Sequence, residues 1–111
     1  MEVRPMNKVY IWLDSIQFAP MIKGYTVSAC HSVNEAKKEI EFNENLGSTE
    51  FIIDIENNLG NYDYDGGQGI NLLVWLIETG RNNSNYQVKL HMQNPVEVQK
   101  FTDFIGKYWE N

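Results

Sequence analysis

Four side chains that could carry acid–base chemistry lie at the ends of apolar runs in this 111-residue chain. Asp14 follows YIWL, Asp54 and Glu56 close the run TEFIIDIE, and His91 follows VKL. A histidine titrates near neutrality and can move a proton, while carboxylates can orient it or hold a divalent cation. Because parallel sheets bind ligands outside the carboxyl ends of their strands, we expect these residues to converge on one rim.

Each of these residues also has a purely structural interpretation. Asp14 could cap a turn, and His91 could simply be hydrogen-bonded at a strand end. Asp54 interrupts an apolar strand, so it must be partnered if it is buried, because burying a lone charge is costly. His31 is interpreted as a structural histidine, and Cys30, within an apolar run, as a buried and inert thiol.

The elements that must position these side chains alternate between strand and helix. Ser32 and Glu35 have the S-x-x-E spacing of a helix capping box. The strands are predicted at 8–14, 25–32, 49–56 and 85–92, and the helices at 33–44 (stopping near Gly47), 70–80 and 95–109. This order predicts a small three-layer, doubly wound α/β fold with a mainly parallel four-stranded sheet. Only SIQFAPMIKG separates the first two strands, so the first crossover helix must be trimmed.

Composition narrows the function classes. The length of 111 residues predicts a single domain, 1–111, and a content of 42% hydrophobic and 22% charged residues is typical of a globular protein. We expect no membrane association and a cytoplasmic location, because no apolar run has bilayer length and MEVRPMNK lacks a signal-peptide segment. The net charge of −6 disfavours long nucleic acids, which usually meet a basic face. A single nucleotide is compatible, because one local pocket would suffice.

Five short motifs in order then resemble one family. The stretches WLDSIQFAP, SVNEA, DIENNLG, QGINLLVWL and HMQNPV are similar to the motifs of cyclic-phosphate processing receiver-like domains, a divergent branch of the receiver superfamily. The matching residues are Leu13, Asp14, Pro20, Glu35, Ala36, Leu59, Gly60, Gly69, Trp75, His91, Asn94 and Pro95. The resemblance implies a receiver-like, flavodoxin-like fold and the processing of nucleotide cyclic phosphates.

Departures from the family pattern concentrate on its polar residues. Ser15 stands where a second aspartate is expected, and Gln17 replaces an arginine that could clamp a phosphate through two hydrogen bonds. The family's Asp-His-Asp run aligns without gaps on Glu56, Asn57 and Asn58. A shifted alignment would instead put Asp54 and Glu56 on the two acids. Either way, much of the titratable constellation is neutralised.

The resemblance nevertheless implies roles for the retained residues. The catalytic set is predicted as His91, Asp14 and Glu56, and the ligand-binding set as Asp54, Asn58, Asn94 and Ser15. Water would attack the phosphorus of a cyclic phosphate ester while His91 moves the proton. Asp14 and Glu56 would orient the histidine or hold a divalent cation such as magnesium.

Two other functions stay open at this stage. The chain could be a non-catalytic module that binds a nucleotide-like ligand or a protein through the loop at 57–69. It could also be a phospho-accepting receiver, although Ser15 breaks the acid pair that such a receiver needs. The oligomeric state does not follow from these patterns.

Overall fold

The computed structural model describes residues 6–109, so the ends 1–5 and 110–111 of the predicted single domain lie outside it. Most of the predicted start segment MEVRPMNK therefore falls outside the described residues. In chain order the elements are β1 (Asn7–Leu13), β2 (Thr26–Cys30), α1 (Val33–Leu46), β3 (Thr49–Ile55), a 3₁₀ helix (Gly60–Tyr64), α2 (Ile70–Glu78), β4 (Tyr86–Leu90) and α3 (Pro95–Tyr108).

The four strands form one parallel sheet in the order β2-β1-β3-β4. The predicted α/β receiver-like fold with a parallel four-stranded sheet is thus confirmed. In the sheet register Leu13 lies beside both Cys30 and Ile55, and Ile55 lies beside Leu90. The carboxyl ends of all four strands are therefore level and form a single rim.

One face of the sheet carries the hydrophobic core. Because side chains alternate between the two faces of a strand, every second residue of β1 and β3 points into this core. All three helices contribute buried side chains to it, so they cover the same face. The core includes Val9, Ile11, Leu13, Phe51, Ile53 and Ile55 from the strands and Ala36, Ile40, Leu72, Leu76 and Phe101 from the helices.

The opposite face of the sheet is covered by a non-helical connection. Residues 14–25, which we call the β1–β2 segment, join the first two strands without a helix, as the short spacing predicts. The Trp12 indole N–H donates to the carbonyl of Gln17 at 3.0 Å, and the Tyr25 ring packs edge-on against Tyr10. The β1–β2 segment therefore shields Tyr10 and Trp12 in place of a further helix. The third layer of the predicted three-layer fold is this segment, and the helices of the described residues lie on one face of the sheet only.

The helix ends follow the chemistry of their sequences. The Ser32 hydroxyl accepts a hydrogen bond from the amide of Glu35 at 3.1 Å, which confirms the predicted cap of α1. Asn94 caps α3 in the same way, and Pro95 occupies its first turn, where a missing N–H is tolerated. None of the helices in residues 6–109 is long and apolar enough to cross a bilayer.

Close packing between α2 and β3 requires a glycine at position 69. A Cβ added to Gly69 would lie 2.3 Å from the carbonyl oxygen of Glu56, so only glycine lets the start of α2 approach the end of β3.

Cys30 is 2% exposed, and burial raises the pKa of its thiol to about 12. The prediction of a buried thiol at Cys30 is confirmed.

Candidate functional site

A buried Asp–His–Asp cluster lies at the carboxyl rim of the sheet. The Nδ1 atom of His91 is 2.7 Å from Oδ1 of Asp54, and its Nε2 atom is 2.9 Å from Oδ2 of Asp14. The side chains of the three residues are 15%, 8% and 5% exposed, respectively. His91 therefore bridges two carboxylates that are nearly out of contact with solvent.

The sheet register brings these three residues together. Asp14 directly follows β1, His91 directly follows β4, and Asp54 lies within β3. The amide of His91 continues the pairing by donating to the carbonyl of Ile55 at 3.3 Å. Asp54 faces away from the core, and Lys89 lies opposite it on β4. The cluster thus lies on the face that carries the β1–β2 segment.

Each carboxylate has further hydrogen-bond donors. Oδ1 of Asp14 accepts from the amides of Ile16 and Gln17 at 2.8 and 2.9 Å, which closes a turn at the start of the β1–β2 segment. Oδ2 of Asp54 accepts a hydrogen bond from the Tyr10 hydroxyl. Within residues 6–109, no buried side-chain nitrogen or oxygen lacks a partner. The cluster is therefore fully bonded.

An aromatic platform fixes the imidazole ring. Trp12 stacks on His91 with ring centroids 3.8 Å apart and planes 10° from parallel. Sequence reasoning missed both Trp12 and Tyr10 as parts of the site. The signal was present, because alternation along YIWLD places Tyr10, Trp12 and Asp14 on one face of β1.

The charges of the cluster stabilise each other. Burial opposes protonation of His91 and is the largest single influence, but the hydrogen bonds and charges of Asp54 and Asp14 outweigh it and raise its pKa. Burial likewise disfavours the charged form of each carboxylate. The amides of Gln17 and Ile16, followed by His91, overcome this and lower the pKa of Asp14. His91 and then Tyr10 do the same for Asp54. A carboxylate on each ring nitrogen and the raised pKa both favour the imidazolium form, which can donate through both nitrogens.

Glu56 is not joined to this cluster. Its Oε2 atom accepts from the amide of the next residue, Asn57, at 2.8 Å. No side-chain hydrogen bond among the described residues links it to Asp14 or His91. Of the three predicted catalytic residues, the structure therefore brings two together, with Asp54 as the third member in place of Glu56. Their catalytic roles stay predictions.

The remaining predicted ligand-binding residues lie around the rim in structural settings. The Asn58 side chain accepts from the amide of Gly60 at 3.0 Å, and Asn94 caps α3. Ser15 is half-buried and lines a shallow groove of about 210 Å³. The other lining residues of this groove are Ile16, Gly60, Asn61 and Tyr62. Ser15 thus borders a groove, whereas Asn58 and Asn94 are exposed residues whose side chains cap a local turn and a helix.

A second polar junction was missed by sequence reasoning. Asn57 stands where the family motif has histidine, and it is 6% exposed. Its side chain donates to Oε2 of Glu97 at 2.6 Å and accepts from the amide of Ile70 at 3.0 Å. Asn57 therefore ties the end of β3 to the beginnings of both α2 and α3.

The side chains around Asp14 are not arranged to bind the predicted divalent cation. No set of three or more His, Cys, Asp or Glu side chains in residues 6–109 is arranged to hold a metal ion. Both oxygens of Asp14 already accept hydrogen bonds, and one of them faces the imidazolium of His91, which would repel a cation. Glu56, the other predicted ligand, bonds elsewhere.

Comparison with known proteins identifies the family. A family model described as the cyclic-phosphate processing receiver domain matches residues 9–107. No curated protein and no solved structure matches the chain significantly. The match spans every strand and helix described above except the first two residues of β1 and the last residue of α3. The chain therefore belongs to the cyclic-phosphate processing receiver domain family.

Proposed function

We propose that this domain is a non-catalytic interaction module, in which the Asp14–His91–Asp54 cluster holds the β1–β2 segment in place. The observation that carries this proposal is the double hydrogen bond of His91, with a carboxylate on each ring nitrogen. A general base needs a free lone pair, and an imidazolium bonded on both sides has none. Proton transfer at this ring would first require one of the two bonds to break.

The charge around the cluster also disfavours a phosphate ligand. One imidazolium between two carboxylates leaves a net negative charge, which repels an anion. Gln17, at the position of the family's arginine, is exposed and carries no positive charge. Lys89 lies opposite Asp54, and its charge contributes to the lowered pKa of that carboxylate. The charge of Lys89 is thus already matched to an acid.

The cluster instead organises a surface. Asp14 holds the amides of Ile16 and Gln17, so it fixes the backbone from which the next side chains project. Ile16, Phe18 and Met21 are 86%, 98% and 98% exposed. Neighbouring large apolar side chains at such exposure are typical of protein-binding surfaces. This exposure, combined with the closed polar cluster, supports the proposed function as an interaction module.

The test is a turnover assay with matched histidine variants. The protein is incubated with 2′,3′-cyclic nucleotides, with and without magnesium, alongside His91→Ala and the control His31→Ala. We expect each of the three proteins to hydrolyse the substrates no faster than buffer alone does. Turnover by the native chain that His91→Ala abolishes, while His31→Ala and the circular dichroism spectrum are unchanged, would refute the proposal.

A second candidate function is residual phosphoesterase activity, and the Asp54–His91 pair favours it. A carboxylate on Nδ1 orients the ring so that Nε2 can act on a substrate, as in other enzymes with such pairs. If Asp14 released Nε2, water could attack phosphorus and break the bond to the leaving ester oxygen, which would take the Nε2 proton. The neutral Nε2 atom would then accept the proton that the attacking water loses. This function predicts that Asp54→Asn lowers kcat with little change in KM; equal kcat in both proteins would exclude it.

A further inference from the structure

The β1–β2 segment carries a projecting side chain and an apolar groove side by side. Phe18 is 98% exposed, and the adjoining groove has a volume of about 620 Å³. The groove is lined by Ala19, Pro20, Met21, Ile22, Lys23, Tyr25 and Val27. We propose that a second copy of this chain binds here, in a twofold dimer with Phe18 of each copy in the groove of the other. This inference rests on the proposed function, for which it names the partner.

The neighbouring positions of the two features favour a second copy over a different protein. In a twofold interface the same patch serves both subunits, so a side chain on one copy must meet a complementary site on the same patch of the other. Phe18 and the groove that begins at Ala19 meet this requirement, because one segment supplies both halves of the contact.

The distribution of charge permits two copies to approach through this surface. The chain has 15 acidic residues and a net charge of −6, yet residues 15–34 contain no aspartate or glutamate. The only lysine in that range is Lys23. Depletion of charge at the centre is the compositional mark of an interface. Two copies that meet through the β1–β2 segment therefore avoid the repulsion that their acidic surfaces would otherwise produce.

The exposed area is sufficient for a modest dimer. Large side chains such as Phe18, Met21 and Ile16 can each bury roughly 150 Å² or more, which gives on the order of 900 Å² for two copies. The groove lining other than Met21 adds to this in both copies and brings the total near the lower limit of about 1,200 Å² for specific interfaces. We therefore expect an association in the micromolar range.

The first experiment measures the mass of the full chain by sedimentation at about 100 µM, a hundredfold above a micromolar Kd. We expect a dimer for the native protein. Phe18→Asp should be mainly monomeric, with a Kd about a thousandfold weaker, because the twofold dimer loses the Phe18 contact twice. The matched control is Val96→Asp, because Val96 is 76% exposed on α3, which follows β4 at the other edge of the sheet. This variant should dimerise like the native chain.

A second experiment tests the reciprocal contact directly. Phe18→Ala removes the projecting ring, and Ala19→Trp fills the groove, so each variant alone should be monomeric. A mixture of the two should form a heterodimer, because Phe18 of the Ala19→Trp copy can enter the open groove of the other. Restored association in the mixture supports the proposal, and its failure overturns the reciprocal geometry.

Three other outcomes would overturn the dimer or its assignment to a second copy of the chain. A native chain that is monomeric at this concentration overturns the dimer, as does a dimer that Phe18→Asp leaves intact. A monomer whose β1–β2 segment binds a different protein also overturns the assignment to a second copy. These results are independent of the turnover assay, so the dimer can fail while the non-catalytic proposal stands, and the reverse.

Discussion

The substitution His91→Ala tests the physical role of the cluster. It removes the cation that lies 2.7 and 2.9 Å from two carboxylates which are each 6% exposed as residues. Asp14 and Asp54 would then share a buried space without a compensating charge. The substitution also removes the ring that stacks on Trp12 at 3.8 Å.

The expected loss is large. Removing one partner of a buried ion pair costs about 3–5 kcal/mol, because the remaining charge is left unpaired. Losing the stacked ring adds about 0.5–1.5 kcal/mol, although the two effects overlap. The whole domain should have an unfolding free energy of about 5–15 kcal/mol. His91→Ala therefore removes a major part of the stability.

Urea denaturation measures this loss. At a slope of about 2 kcal/mol per molar urea, the midpoint should fall by about 1.5–2.5 M with little change in slope. The control His31→Ala should stay within about 0.5 kcal/mol, because the His31 side chain is 50% exposed and 3.7 Å from Glu35. Adding Asp54→Asn to His91→Ala should recover stability by removing an unpaired charge. A loss below about 1 kcal/mol for His91→Ala would refute the reasoning.

Three further predictions concern stability. The pKa of His91 is raised on folding, so its contribution is complete below about pH 6.5 and is lost as the pH rises through the raised value. The two aspartates of the cluster have lowered pKa values, so their contribution is present above about pH 4 and is lost as the pH falls through those values. Urea midpoints should therefore fall on both sides of a plateau, and His91→Ala should lack the alkaline decrease; a variant that retains it would contradict the assignment. Gly69→Ala should destabilise by about 1–3 kcal/mol because its Cβ meets the Glu56 carbonyl, whereas Gly106→Ala, in open space on α3, should stabilise by up to about 1 kcal/mol. Equal melting temperatures for the two alanine variants would contradict the packing argument. Asn57→Ala should cost about 1–3 kcal/mol, since it leaves the half-buried amide of Ile70 without its acceptor; an unchanged urea midpoint would show that this bond does not stabilise the fold.

The fold could be predicted from the sequence because its local signals agree with one another. The capping box at Ser32 and Glu35 and the glycine at position 47 set the limits of α1. The apolar run of β3 and the short spacing between the first strands set the topology. The predicted and observed strand ends differ by up to two residues, since a single sequence does not show where pairing stops.

The site was predictable only in part. Convergence of Asp14 and His91 follows from the parallel sheet, which aligns the strand ends. The bridge through Asp54 also requires the register of Asp54 opposite Lys89, and a shift of one residue would turn that side chain into the core. Glu56 illustrates the limit, because its position just past β3 was predictable but its bond to the next amide was not.

The inertness of Cys30 has a practical consequence for experiments on this protein. Burial raises the pKa of the Cys30 thiol to about 12, so it carries little thiolate at neutral pH, and maleimide reagents react with the thiolate. A cysteine introduced on the exposed surface would therefore take a fluorophore or spin label selectively. Distances between two such probes could be measured without first replacing the native residue.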